Sequence, residues 1–275
     1  MIDRPAIVPA PVHREELLAL AGRMADASGE ILHRYFRKDV HFDDKADSTP
    51  VTEADREVEK RLRAMVAERF PDHGIVGEEF GAVNEDADYV WVLDPIDGTS
   101  GFVTGKPLFG TLIGCVHRGV PILGVIDHPA LSERWIGGAS LPTTFNGKGV
   151  RVRRCARISD AMLYATTPHM FVGSDAYAFE ALCEAVKRPQ YGADCYAYAL
   201  LASGFVDLVV EAGMKPCDYC ALAPVVQAAG GIMTDWEGRP LGLASDGRVI
   251  AAGDERVHAS ALAILAAGGE LKQGG

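Results

Sequence analysis

Long apolar runs are missing from this sequence. No run reaches the roughly 18 consecutive apolar residues that a membrane-spanning helix needs. The first residues, Met-Ile-Asp-Arg-Pro, also lack the basic segment and apolar core that are typical of a signal peptide. We therefore expect a cytoplasmic protein that has no membrane partner.

Cysteine is sparse, with six residues in a chain of 275. Only Cys217 and Cys220 form a CxxC motif, and no second pair completes a zinc site. In a cytoplasmic protein we expect reduced thiols. Packing is therefore favoured over a metal or redox role for the CxxC motif.

Positive charge is also in short supply. The chain has 27 Lys and Arg against 38 Asp and Glu, which gives a net charge of -11. An acidic surface repels phosphate backbones, so nucleic acid is not expected as a partner. It would also repel a small phosphate ester unless bound divalent cations inverted the local charge. Solubility alone would explain the charge equally well.

No linker and no fixed-period repeat divide the chain, because Pro and Gly are scattered along it. Residues 1–155 show two helical patterns followed by several strand patterns, whereas residues 156–275 alternate between strands and helices. Such alternation is typical of a layered α/β structure. We predict two closely packed halves, with a boundary near residue 155.

Apolar periodicity predicts the main elements. Residues 12–36 and 53–69 have helical spacing, Thr52 is a suitable N-cap for the second helix, and the apolar run Tyr89–Leu93 predicts a buried strand. The polar stretch 43–50 is predicted as a loop. Further strands are predicted at Phe109–His117, Pro121–Asp127, Arg134–Gly137, Met162–Thr166, Val206–Glu211 and Ile232–Thr234, and further helices at Asp175–Val186, Asp194–Ser203, Asp218–Ala228 and Glu255–Ala267.

The segment Asp94-Pro95-Ile96-Asp97-Gly98-Thr99 directly follows the buried strand. Its two carboxylates would repel each other without cations, and hard oxygen ligands of this kind suit Mg2+. A helix that began at Gly98 and Thr99 would direct unpaired amides at a phosphate group. Taken alone, the segment is more simply an Asp-Pro turn with an Asp helix cap.

Two other acids are candidates for the same site. Glu78 precedes the buried strand by a short connection, and Asp218 opens a predicted helix. Either acid, taken singly, is more simply an exposed residue or a helix cap. Their interest lies in their combination with the segment 94–99.

Taken in order, these segments resemble the inositol monophosphatase superfamily. The resemblance rests on Val51-Thr52-Glu53-Ala54-Asp55, Gly77-Glu78-Glu79, Trp91-Val92-Leu93-Asp94-Pro95-Ile96-Asp97-Gly98-Thr99 and Cys217-Asp218. It spans about residues 15–265. Cys217 stands where the family usually has Trp, but the acid after it is kept.

The resemblance implies a five-layer α-β-α-β-α sandwich and hydrolysis of a small phosphate monoester with two or three Mg2+ ions per site. It implies that no covalent intermediate and no catalytic histidine are needed, and that the protein is a homodimer. The implied metal ligands are Glu78, Asp94 and the Ile96 carbonyl for one ion, Asp94, Asp97 and Asp218 for a second, and Glu78 for a third. Asp55 and Thr99 would orient the attacking water, and the amides of Gly98 and Thr99 would bind phosphate.

Three other segments resemble histidinol-phosphate phosphatases of the inositol-monophosphatase type, namely residues 105–112, 166–171 and 191–201. This resemblance implies conversion of L-histidinol phosphate to L-histidinol in histidine biosynthesis, with Asp194 and Glu211 contacting the non-phosphate part of the substrate. Two carboxylates suit a cationic amine or imidazolium through charge-assisted hydrogen bonds. They would equally accept inositol hydroxyls, and Asp194 also suits a helix cap.

Two other functions compete with this one. The first is a broad inositol or sugar phosphate phosphatase with the same chemistry. The second is a regulatory or scaffold protein that uses this fold to bind Mg2+ or a partner protein without turnover, since a fold does not dictate function. The complete set of acids argues against the second.

Overall fold

This computed structural model describes residues 11–38, 42–44 and 50–270. Its helices are α1 (Pro11–Tyr35), α2 (Glu53–Arg69), α3 (Thr99–Val103), α4 (Ser174–Ala185), α5 (Tyr196–Ala202), α6 (Pro216–Tyr219), α7 (Leu222–Ala228) and α8 (Glu255–Glu270). The strands of the first half are β1 (Phe42–Asp44), β2 (Pro50–Thr52), β3 (Gly74–Gly77), β4 (Gly81–Val83), β5 (Tyr89–Asp97), β6 (Gly110–His117), β7 (Val120–His128), β8 (Glu133–Gly138), β9 (Leu141–Phe145) and β10 (Lys148–Gly149). Those of the second half are β11 (Met162–Ala165), β12 (Arg188–Tyr191), β13 (Leu208–Glu211), β14 (Ile232–Thr234) and β15 (Val249–Ala252).

Helix α2 begins directly after its N-cap residue, Thr52. The Thr52 hydroxyl accepts the Asp55 N–H at 3.4 Å, and the Asp55 carboxylate accepts the Thr52 N–H at 2.8 Å, which together form a capping box. Helices α1 and α2 bury their apolar faces against one side of the first sheet, in a shared core cluster.

The first sheet has the strand order β10-β9-β8-β7-β6-β5-β3-β4. Its pairings are antiparallel except that of β3 with β5, in which Gly77 lies opposite Leu93. Because β3 and β5 run in the same direction, their carboxyl ends meet at one edge of the sheet. The chain turns between β6 and β7 at Arg118 and Gly119, both of which have positive φ.

The second sheet has the strand order β12-β11-β13-β15-β14. Helices α5 and α7 share a core cluster with the inner faces of both sheets, and α4 and α8 pack on the outer face of the second sheet. The layers are therefore α1 with α2, the first sheet, α5 with α7, the second sheet, and α4 with α8. The predicted five-layer α-β-α-β-α sandwich is confirmed.

Most predicted elements are present, two predictions need correction, and several strands were not predicted. The stretch 43–50 is not simply a loop, because β1 pairs with β2; residues 45–49 lie outside the described residues. The predicted helix 218–228 begins earlier, at Pro216, and is divided into α6 and α7. The strands that were not predicted are β3, β4, β9, β10, β12 and β15. Of these, β15 lies inside the second sheet, between β13 and β14.

The change from the first sheet to the second falls between Gly149 and Met162. The division into halves at 155 stays a prediction, since the middle helices pack against both sheets. Among the described residues, no helix is both long and apolar enough to cross a membrane.

Candidate active site

Two acids leave the first sheet side by side. The Glu78 N–H donates to the Leu93 carbonyl at 3.2 Å, which extends the parallel pairing of β3 and β5 by one residue. Glu78 therefore emerges beside Asp94 at the carboxyl edge of the two strands. The sequence spacing alone did not reveal that these strands are parallel neighbours.

A bulge near the end of β5 sets the position of the next acid. The register with β6 shifts between Asp94 and Asp97, and the Ile96 N–H donates to Asp94 Oδ1 at 3.0 Å. On β6, the Thr111 hydroxyl donates to the Pro95 carbonyl at 2.9 Å. These contacts fix the chain between the two aspartates.

Three aspartates converge at this edge. One oxygen from each of Asp94, Asp97 and Asp218 lies within 4.8 Å of the other two. The Asp97 carboxylate accepts the Cys195 N–H at 2.7 Å, and the Asp218 carboxylate accepts the Lys215 N–H at 2.7 Å. Each of these two acids is thus oriented by the backbone of the second half.

The electrostatics of the cluster favour a divalent cation. Burial raises the pKa of Asp94 well above its usual value, and the charges of Glu78, Asp97, Asp218 and Asp55 raise it further. Burial likewise raises the pKa of Asp97, with added repulsion from neighbouring acids. A bound cation would remove this repulsion, and carboxylate oxygens are the ligands that Mg2+ prefers. The residues therefore fit a magnesium site.

Glu59 supports this edge from behind and was missed by sequence reasoning. It is fully buried on α2, where its carboxylate accepts the N–H groups of Glu79 and Phe80 at 2.7 and 3.2 Å and pairs with Arg63 at 2.7 Å. It therefore holds the turn that carries Glu78. The sequence contained one indication: an acid at an inward-facing position of a predicted helix.

The acids line a cavity of about 680 Å3, whose far side is formed by the second half. Glu211 lies there at the end of β13, where it is only 3% exposed. It accepts the Thr166 N–H and the Tyr198 hydroxyl, each at 2.9 Å. Burial raises the pKa of Glu211 to about 7, although both hydrogen bonds oppose the shift.

Asp194 lies on the same cavity wall, in a loop before α5. Its φ of 50° is in the left-handed region, and its Oδ2 lies 3.8 Å from the ammonium of Lys106, which also donates to the Gly192 carbonyl. Burial raises the pKa of Asp194, and Lys106 opposes that rise. The residue capping α5 is Cys195, so Asp194 does not act as that cap.

A sequence model of the inositol monophosphatase family matches residues 13–269. The chain belongs to this family. The match covers both sheets and every acid described above. The predicted family resemblance is therefore confirmed.

Similar proteins within the inositol monophosphatase family are named for different phosphatase activities. The chloroplastic bifunctional phosphatase IMPL2 of Arabidopsis thaliana is 48% identical over 260 residues, which cover 91% of this chain and 75% of that protein. The histidinol-phosphatase of Mycobacterium tuberculosis is 36% identical over 234 residues, covering 82% and 89%. A solved inositol monophosphatase from Zymomonas mobilis matches with a TM-score of 0.85 and 44% identity, covering 92% and 98%. As a family member, the chain is a phosphatase of small-molecule phosphate monoesters, and the family depends on metal ions.

Asp55 and Thr99, two residues of the inositol monophosphatase pattern, make contacts that differ from the expected ones. The Thr99 hydroxyl donates to the Ile96 carbonyl at 2.8 Å, and the Asp55 carboxylate accepts from the N–H and hydroxyl of Thr52. The expected pairing of Asp55 with Thr99, and a metal at the Ile96 carbonyl, stay predictions. Gly98 has the left-handed φ of 79°, and a Cβ there would lie 3.1 Å from Asp194 Cγ.

His128 and the two cysteines of the CxxC motif are buried. His128 is fully buried, with Nδ1 2.9 Å from the Phe109 carbonyl, and burial lowers its pKa to about 4. His169 is exposed. Cys217 and Cys220 are buried free thiols, and burial raises the pKa of Cys220 to about 12. Such thiols are inert, so the CxxC motif is part of the core.

Proposed function

We propose that this phosphatase hydrolyses L-histidinol phosphate to L-histidinol with Mg2+, as a step of histidine biosynthesis. One observation carries the proposal: Asp194 and Glu211 line the same cavity as the aspartate cluster. Two carboxylates beyond the phosphate position suit a leaving group with a cationic amine or imidazolium.

The acids of the first half, together with Asp218, would hold the ions. Glu78 and Asp94 would bind one Mg2+ with the Ile96 carbonyl, Asp94, Asp97 and Asp218 would bind a second, and Glu78 would contribute to a third, weaker site. When bound, Mg2+ would neutralise phosphoryl oxygens and activate a water as the nucleophile. The chain's part is to hold ligands from both halves at fixed separations.

Residues at the start of α3 would position the reactants. The N–H groups of Gly98 and Thr99 have no acceptor within α3, because they are among the first amides of the helix. They would bind phosphate oxygens, which places phosphorus beside the acid cluster. Asp55 and Thr99 would orient the attacking water in line with the departing alkoxide.

Asp194 and Glu211 would bind the leaving group. Lys106 favours the ionised form of Asp194, and the raised pKa of Glu211 leaves its carboxyl able to accept or donate a hydrogen bond near neutral pH. Two of the similar proteins, from Chlorobaculum parvum and Mycobacterium tuberculosis, are named histidinol-phosphatase, at 34% and 36% identity. These names support the proposal.

Phosphate release from purified protein with Mg2+ tests the substrate. The panel is L-histidinol phosphate, inositol 1-phosphate, several sugar phosphates and 4-nitrophenyl phosphate. We expect kcat/KM for histidinol phosphate to exceed that for every other ester by at least about tenfold, the discrimination that one buried charged hydrogen bond provides. Equal or better hydrolysis of inositol 1-phosphate would reject the proposal.

The second candidate is an inositol 1-phosphate or broad sugar phosphate phosphatase. The solved Zymomonas mobilis protein, at 44% identity, is called an inositol monophosphatase. Asp194 and Glu211 would accept hydroxyl groups as readily as they would bind ammonium groups. The same panel separates the two candidates. The expected homodimer is tested by sedimentation of the same sample.

A further inference from the structure

A lysine lies beside one of the proposed metal ligands. The ammonium nitrogen of Lys215 lies 3.7 Å from Glu78 Oε1. Both residues line the cavity that also contains Asp94 and Thr99. A protein cation therefore occupies part of the space around a carboxylate that we have proposed as a metal ligand.

Backbone hydrogen bonds fix the chain at Lys215. Its N–H donates to the Asp218 carboxylate at 2.7 Å, and the preceding Met214 N–H donates to the Gly247 carbonyl at 3.0 Å. Pro216 follows as the first residue of α6. The Lys215 side chain is 51% exposed, so its four-carbon stem has room to turn within the cavity mouth.

The net charge of the site indicates a role for Lys215. Glu78, Asp94, Asp97 and Asp218 carry four negative charges when ionised, which two Mg2+ ions would cancel. A phosphate dianion would then bring further negative charge, which the third, weaker Mg2+ site would offset only while it is occupied. An ammonium at the cavity mouth would offset part of it and donate to a phosphoryl oxygen.

The other lysine that lines this cavity, among the described residues, is Lys106. Its ammonium donates to the Gly192 carbonyl and lies beside Asp194. It is therefore committed to the loop that carries Asp194. Lys215 is better placed to serve the phosphate side of the cavity.

We propose that Lys215 is a phosphate-binding residue that rests on Glu78 in the metal-free protein and turns to the phosphoryl oxygens once Glu78 holds a metal ion. The reason is competition, because a divalent ion at Glu78 repels the ammonium and takes over its carboxylate. The inference rests on the metal ligands of the proposed function. The Lys215 ammonium would thus pair with Glu78 before metal binding and with the phosphate group after it.

Calorimetry with two probes tests the inference, using Lys215→Met in the full chain. Titration with MgCl2 alone should show tighter binding, by about threefold, because a partly exposed competing ion pair is lost. Titration of the Mg2+-saturated protein with inorganic phosphate should show binding weakened by at least about tenfold, the effect of losing a charged hydrogen bond. Lys215→Arg should keep most of the phosphate affinity.

Lys187→Met is the matched control, because Lys187 is exposed after α4, away from the cavity lining. It should change neither titration. Unchanged phosphate binding in Lys215→Met, or unchanged Mg2+ binding, would overturn the inference. Failure of the metal ligands themselves is visible separately: an Asp94→Asn variant that bound Mg2+ as the wild type does would overturn both proposals. Circular dichroism of each variant verifies its fold.

Discussion

The carboxylate of Glu59 occupies the space that a side chain at residue 77 would need. A Cβ built on Gly77 would overlap Glu59 Oε1 and crowd the guanidinium of Arg63. The closeness is required because Glu59 accepts the N–H groups of the turn that follows Gly77. A glycine at the end of β3 therefore sets the position of Glu78.

Gly77→Ala should displace this turn. We expect kcat/KM to fall at least about tenfold, the Mg2+ concentration for half-maximal activity to rise, and the free energy of unfolding to fall by about 1–3 kcal/mol through overpacking. Urea denaturation and Mg2+-dependence of phosphate release measure these effects. Gly22→Ala is the control, because a Cβ there meets nothing within 4 Å on helix α1. That control should be neutral or stabilising, and an equal loss of activity in both variants would refute the role of Gly77.

Asp94→Asn should separate metal binding from folding. Asp94 is buried among four acids whose charges raise its pKa, so a neutral amide should make the metal-free protein as stable as the wild type or more stable. Turnover should disappear, because Asn replaces a ligand shared by two proposed ions. Thermal unfolding of the wild type and of Asp94→Asn, first in EDTA and then in excess MgCl2, measures folding stability and metal binding separately.

The wild type should gain stability with Mg2+ and lose activity reversibly in EDTA. Asp94→Asn should show little of the gain, since stabilisation by a ligand requires binding to the folded state. Near wild-type activity in Asp94→Asn would refute its assignment as a shared ligand. A matched change at an acid away from the cavity, Glu57→Gln, should leave the Mg2+ response intact.

The sequence predicted the parts of this site that are local. The run Tyr89–Leu93 and the acids after it identify a buried strand with a charged end, because apolar continuity and turn chemistry act over a few residues. The capping box at Thr52 is equally local. Such features depend on the nearest neighbours in the chain and can be predicted without the fold.

Long-range placement could not be predicted in the same way. Strand β15 is a four-residue apolar run, too short for periodicity to distinguish it from a buried helix segment. The pairing of Asp194 with Lys106 depends on how the second half packs against the first. The role of Glu59 could not be predicted from its inward-facing position alone, because the N–H groups that it accepts lie 20 and 21 residues further along the chain.

Glu211 predicts a pH dependence of stability. Its pKa is raised by burial from 4.5 to about 7 in the folded protein, so the folded state holds its proton more tightly than the unfolded state. This contribution to stability is complete below pH of about 4.5 and is lost as the pH rises through about 7. Over that window the loss is about 3 kcal/mol.

Glu211→Gln, which does not titrate, should lack this part of the slope. Urea denaturation of both proteins in EDTA from pH 4.5 to 8 gives the difference. We expect the wild type to lose stability relative to the variant as the pH rises. Parallel curves would show that the Glu211 carboxyl titrates normally. Thr144→Val is the control, because Thr144 is partly buried on β9 and neither side chain titrates. Its curve should be parallel to that of the wild type.

Asp194 provides the sharpest test of substrate choice. Its φ of 50° is strained for alanine but tolerated by asparagine, so Asp194→Asn removes the charge while sparing the backbone. We expect KM for histidinol phosphate to rise by at least about tenfold, the effect of losing a charged hydrogen bond to the leaving group. KM for 4-nitrophenyl phosphate, whose leaving group is not cationic, should change by less than about threefold, within the range of an exposed ion pair. Equal increases for both esters would mean that Asp194 shapes the phosphate side of the cavity through its contact with Gly98, and that the leaving group is recognised elsewhere.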